Sequence, residues 1–101
     1  MSRPRKRRTI RFSPNTHYYK PRGIPLRFLE EVEISYEEME SLRLTYKKKL
    51  DQTEGAKKMK ISQPTFHRHL DKALQKMSLA LLEGKAIRIV DKSDKLSKFK
   101  I

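Results

Sequence analysis

The stretch between Ser62 and Gly84 constrains this chain more than any other. Phe66, Leu70, Ala73, Leu74, Met77 and Leu81 recur at steps of three and four, tracing one apolar face of a long helix. Both ends are marked. Ser62 is a good N-cap, Pro64 falls in the first turn where a missing N–H costs little, and Gly84 is a natural stop. Just upstream, Asp51 and Glu54 have capping-box spacing. They predict a short helix from about Gln52 to Met59, with Ala56 and Met59 facing inward and Lys60-Ile61 as the following turn. A third start signal, Ser35 with Glu38, predicts a helix running to about Lys48. Ile34 and Met39 occupy its hydrophobic-staple positions, and Met39, Leu42 and Tyr46 follow at helical spacing.

The flanks are less regular. Thr9-Ile10-Arg11-Phe12 alternates like a short half-buried strand, and Ser13-Pro14-Asn15 reads as a turn. Pro21, Gly23 and Pro25 argue against regular structure across residues 16 to 25. Ile24, Leu26, Phe28 and Leu29 are expected to pack on the domain. Ala86-Ile87-Arg88-Ile89-Val90 is β-branched and alternating, a strand expected to pair with residues 9 to 12 of this chain or of a partner. It is therefore the candidate intersubunit element. The predicted organisation is a basic arm and extended segment over 1–23, a helical domain over 24–90, and a polar tail over 91–101. The predicted class is mostly α, a small helical domain with one or two short flanking strands.

Charge narrows the function. The 101 residues hold 25 Lys and Arg against 12 Asp and Glu, a formal net charge of +13. Residues 1 to 23 carry eight bases and no acid; residues 24 to 50 carry five bases and six acids; residues 51 to 101 carry twelve and six. A basic arm ahead of a compact domain is a common DNA-binding layout, since such arms enter the minor groove. There is no Cys, which excludes disulfides and thiolate zinc sites. No apolar run approaches the ~18 residues of a membrane span, and no secretory signal follows the basic start. The expectation is a cytoplasmic protein, associated with the nucleoid when bound to DNA.

Residues 51 to 82 have the layout of a helix-turn-helix. Gly55-Ala56 supplies the small residues where the second helix crosses the first. Ile61 supplies the apolar residue of the turn, and Phe66 the one a turn into the second helix. The outer face of that helix start enters the major groove in such motifs, and Gln63, Thr65, His67 and Arg68 lie at or near it. Gln pairs bidentately with adenine and Arg with guanine, at about 1–3 kcal/mol of discrimination each. Arg3, Arg5, Lys6, Arg7, Arg8 and Lys72 would hold phosphates by salt-dependent attraction, with Ser62 adding a contact at the helix N-terminus.

Other residues invite blander readings. His67 and His69 are two apart and diverge by about 200° on a helix, so they do not share a metal ion. His69 is expected half-buried at a helix contact and His67 exposed. Tyr18 and Tyr19 suit packing of an extended segment, or stacking on bases. Lys47-Lys48-Lys49 suits a helix C-terminus and phosphate contact alike. Glu30, Glu31 and Glu33 stand without His, Ser or a Gly-rich loop, which makes them a charged surface. No nucleophile constellation, P-loop or dinucleotide fingerprint is present, so the chain is expected to be no enzyme and to need no metal or cofactor.

Several stretches carry a family resemblance. They are Arg3-Pro4-Arg5-Lys6, Lys20-Pro21-Arg22-Gly23-Ile24-Pro25-Leu26, Leu29-Glu30-Glu31-Val32, Glu40-Ser41-Leu42-Arg43-Leu44, Ile61-Ser62-Gln63-Pro64-Thr65-Phe66, and Glu83-Gly84-Lys85-Ala86-Ile87-Arg88-Ile89. Over about residues 3 to 90 the chain resembles the domain-of-unknown-function 134 family of small prokaryotic proteins, described as predicted DNA-binding proteins. The resemblance implies a helix-turn-helix similar to region four of sigma-70-type factors. Arg7 and Arg11 stand where relatives often have Cys, Lys60 where glycine is usual, and His69 where an apolar residue is usual. The resulting expectation is sequence-specific binding of double-stranded DNA in transcriptional regulation, with a homodimer as a natural form. The alternatives are an RNA-binding protein and a module contacting a larger transcription complex such as RNA polymerase.

Overall fold

Three extended residues, Ser35, Asp51 and Ser62, each start a helix in the computed structural model, which describes residues 9–10 and 17–91. Each side chain accepts a bond from the backbone N–H three residues on, at Glu38, Glu54 and Thr65. At the first two, the glutamate bonds back to the cap N–H and completes a capping box. The helices are α1 (Tyr36–Leu42), α2 (Gln52–Met59) and α3 (Gln63–Glu83). α1 continues into a π-helical turn, Arg43–Lys47, closed by the Lys48 N–H donating to the Arg43 carbonyl at 2.9 Å. The helical stretch thus ends where Lys47-Lys48 was expected to end it. α3 stops at Gly84, whose φ of +69° is left-handed and suits glycine.

Three strands pack on the helices: β1 (Tyr18–Tyr19), β2 (Glu31–Ser35) and β3 (Ala86–Val90), in the order β1-β3-β2. β3 is central, antiparallel to β1 and parallel to β2. This corrects the expected pairing with residues 9 to 12. Thr9 instead donates its N–H to the Met59 carbonyl at 3.0 Å, and Ile10 packs on the helical core. Because its own chain borders β3 on both sides, that strand is not free to pair with a second copy. β2 was not foreseen, although Glu31-Val32-Glu33-Ile34 alternates with period two. Register sets Val32 beside Ile87 and Ile34 beside Ile89, while Glu31 and Glu33 face out. Residues 16 to 25, expected to be irregular, contain the two-residue β1. The remainder of the 9–12 reading, the turn at 13–15, the arm over 1–8 and the tail from 92 lie outside the described residues.

Two buried groups hold the elements together. Leu44, Ala56, Met59, Phe66 and Leu70 form the helical core, with Ile10, Leu42, Leu50 and Ile61 packed against it. Ile34, Ala73, Ala80, Ala86 and Ile89 are buried around the sheet. The apolar face of α3 differs from expectation at its end: Leu81 is 78% exposed and Ala80 only 2%. The seven-residue steps Phe66, Ala73 and Ala80 stay in line, and each alanine leaves room for close packing. Leu81 lies about 100° further round the helix. Leu74, at the edge of the stripe, is also exposed. Ahead of β2, Leu29 is half-buried as expected, but Ile24 and Phe28 are exposed, Phe28 beneath the Arg27 guanidinium at 4.7 Å. The side chain of Leu26 lies outside the described residues.

Candidate nucleic-acid interface

The start of α3 is fixed in place by its contacts with α2. Gly55 is buried on α2 against Phe66 of α3. A Cβ built at Gly55 would lie 2.5 Å from Phe66 Cζ, so only glycine lets the two helices approach this closely. Phe66 is fully buried, which leaves the ring little room to retreat. The turn between the helices is closed by the Ile61 N–H donating to the Ala56 carbonyl at 3.1 Å. Lys60 occupies its left-handed position, at φ 61° and ψ 44°. A residue with a Cβ costs very roughly 1 kcal/mol there relative to glycine.

The sequence-predicted reading residues then project from a braced platform. Gln63, His67 and Arg68 are exposed and Thr65 is half-buried. Ser62 Oγ accepts from the Thr65 N–H at 3.2 Å, and its hydroxyl donates to Thr65 Oγ1 at 2.8 Å. Arg68 Nη2 reaches the same Thr65 oxygen at 3.5 Å. Gln63 is held from the other helix, its Oε1 accepting the Thr53 hydroxyl at 3.1 Å. Gln63, Pro64 and His67 line a shallow groove with Gln52. Lys72, four residues beyond Arg68, is exposed on the same helix. His69 is half-buried, as expected of a histidine at a helix contact. Arg3, Arg5, Lys6, Arg7 and Arg8 lie outside the described residues. Thr53 and Gln52 were not singled out from the sequence; only the packing of α2 on α3 brings them to Gln63.

The charge around this surface is one-sided. Residues 43 to 72 contain nine Lys and Arg against three Asp and Glu. Two of the acids, Asp51 and Glu54, are occupied in the α2 capping box, and Asp71 accepts from Gln75 Nε2 at 2.8 Å. Among the described residues, Lys57, Lys58, Lys60, Arg68 and Lys72 make no ion pair. Arg43 is the exception in this stretch. Its guanidinium grips the buried Glu40 carboxylate through two bonds of 2.9 Å, which hold its pKa above the ordinary arginine value.

The sheet side is arranged differently. Arg88 donates to Glu31 at 3.1 and 3.4 Å and lies over the Tyr18 ring, whose hydroxyl donates to the same carboxylate at 2.6 Å. The bonds from Arg88 and then from Tyr18 hold the Glu31 carboxyl below its ordinary pKa. Tyr18 is thus engaged within the protein. Among the described residues no three His, Cys, Asp or Glu side chains cluster as a metal site would require, and no helix is long and apolar enough to cross a membrane.

Comparison with known proteins finds relatives that align with most or all of this chain. A protein named UPF0251 protein from Halothermothrix orenii is 45% identical over 101 residues, covering all of this chain and 75% of the relative. A relative of that name from Caldanaerobacter subterraneus is 51% identical over 89 residues, 88% of this chain and 75% of its own. Another from Dehalococcoides mccartyi is 53% identical over 89 residues, 88% of this chain and 76% of its own. No solved structure matches the chain. The family model described as protein of unknown function DUF134 matches residues 1–97, and the chain belongs to that family.

Proposed function

We propose that the chain binds double-stranded DNA in a sequence-specific manner, with α2, its turn and α3 acting as a helix-turn-helix, and that it serves in transcriptional regulation. One observation carries the reading. The first turns of α3 present Gln63, His67 and Arg68 to solvent on a helix locked by the Gly55–Phe66 contact, within a stretch whose cations are mostly unpaired. Groups able to reach base edges and cations able to hold phosphates thus share one surface. Lys72 and Ser62 supply the described part of the phosphate contact, and the arm residues Arg3 to Arg8 supply the rest. On this reading the protein acts in the cytoplasm, associated with the nucleoid.

Selection of bound duplexes from a random library, with affinity followed against salt, tests the proposal. The expected result is one recovered motif together with a steep fall of affinity as salt rises. Recovery of no motif would leave only non-specific attraction of the basic charge, and would overturn the proposal.

A second reading concerns the far end of α3, where Leu81 and Leu82 are 78% and 85% exposed. Leucines this open favour a protein contact there, in a homodimer or with RNA polymerase. Dimerisation would set two reading helices on a palindromic site. Sedimentation of the Leu81→Asp variant against the parent tests it: a dimer that becomes a monomer supports the reading, and a monomeric parent removes the homodimer.

A further inference from the structure

Gln63 does not meet solvent as a free amide. The Thr53 hydroxyl, in the first turn of α2, donates to its Oε1 at 3.1 Å, across ten residues of sequence. Thr53 has no capping duty to perform: Asp51 already caps α2, its Oδ1 accepting from the Glu54 N–H at 2.8 Å. Gln63 in turn sits just inside the Ser62 cap of α3. The bond therefore links the first turns of two helices whose approach is already fixed by Gly55 and Phe66.

The chemistry of the amide makes this bond consequential. Bidentate reading of adenine uses both ends of a glutamine: the oxygen accepts from N6 while the nitrogen donates to N7. With Oε1 turned toward Thr53, the end left to face outward is Nε2, which has two protons and no acceptor. A donor-only group is matched by guanine, whose N7 and O6 both accept. It has no complement on cytosine, whose major-groove edge offers the N4 donor.

We infer that Thr53 is a specificity-determining residue that never touches DNA: by holding the Gln63 carbonyl it turns the amide donor outward, so that Gln63 selects guanine over adenine. This inference rests on the DNA-binding reading above. Thr53→Val keeps the shape and removes the hydroxyl, which frees Oε1 for adenine. Thr53→Ser keeps the hydroxyl.

The test is duplex selection with the full chain and its Gln63→Ala, Thr53→Val and Thr53→Ser variants, with thermal melting as the check on folding. Gln63→Ala identifies the base pair that Gln63 reads, as the position where preference disappears. The parent is expected to select guanine there. Thr53→Val is expected to move the preference toward adenine by about tenfold, the size of one bidentate contact, and Thr53→Ser to keep guanine. A purely structural role for Thr53 would change affinity for all duplexes alike and leave the base unchanged. Adenine in the parent motif, or an unaltered base in Thr53→Val, overturns the inference while sparing DNA binding. Failure of the parent to select any motif overturns the underlying reading as well.

Discussion

Two exposed arginines divide this molecule. Arg88, on the central strand, is gripped by Glu31 and stacked over Tyr18. Arg68, on α3, has among the described residues a single 3.5 Å contact with the Thr65 hydroxyl and no carboxylate partner. The contrast extends to their surroundings. Residues 30 to 40 carry six acids and no base. Those acids draw in cations from elsewhere: Lys85 to Glu30, Arg88 to Glu31, Lys76 to Glu38 and Arg43 to Glu40. The α2–α3 unit has few acids: Asp51 and Glu54 are taken up in a capping box, Asp71 in a side-chain bond to Gln75, and Glu83, at the far end of α3, in an ion pair with Lys85. The acids of residues 30 to 40 are therefore largely paired within the fold, while Lys57, Lys58, Lys60, Arg68 and Lys72 have no carboxylate partner among the described residues. Net charge alone, +13 for the whole chain, does not reveal where the available cations lie.

The comparison rests on a closely packed helical half, and the largest expected effect would break that packing. Phe66→Ala empties the centre of the helical core, and removal of a buried Phe costs about 3–5 kcal/mol. Chemical denaturation should register that loss, and a smaller loss would show that the α2–α3 contact is less tightly packed than the Gly55 geometry implies. Gly55→Ala probes the same contact from the other side. Overpacking costs about 1–3 kcal/mol and the helix propensity of Ala returns up to about 1, so a net loss is expected in thermal melting. A stabilised Gly55→Ala protein would contradict the account.

Lys60→Gly sharpens the comparison, because it separates stability from charge. Relief of the left-handed strain should raise stability by about 1 kcal/mol, while loss of one unpaired cation should weaken duplex binding on every sequence alike. The smallest effect belongs to the sheet half. The folded-state pKa of Glu31 is depressed, so its network stabilises the fold above the ordinary carboxylate range and ceases to do so as pH falls through that lowered value. The network is exposed, so Glu31→Gln should only slightly flatten the acid limb of a stability–pH curve. A large change at neutral pH would show that the sheet depends on this carboxylate for more than its charge.

What could be read in the sequence was local. Ser35, Asp51 and Ser62 announce their helices because a cap and its N3 residue lie within one turn. Gly55 and Phe66 announce the crossing because the second helix needs space at a fixed distance along the chain. What could not be read depended on distant partners. Glu31 to Ile34 alternates as a strand does, but four carboxylates among Glu30, Glu31, Glu33 and Glu37 give it the look of a solvated loop until Lys85 and Arg88 arrive from the far end of the chain. Ala80 displaces Leu81 from the core because the neighbouring sheet selects for close approach over side-chain volume. The bond from Thr53 to Gln63 has no sequence signature, since it exists only once α2 lies on α3.

The measurement closest to the central claim is duplex affinity across a salt series for the parent, Arg68→Ala and Arg88→Ala, on the selected site and on single-base-pair variants of it. Arg68→Ala should lose about 1–3 kcal/mol of discrimination at one base pair, whereas Arg88→Ala should keep the preferences and salt slope of the parent. Equal losses in the two variants, or a loss with Arg88→Ala alone, would contradict the proposed division between an arginine held within the fold and an arginine that reads DNA.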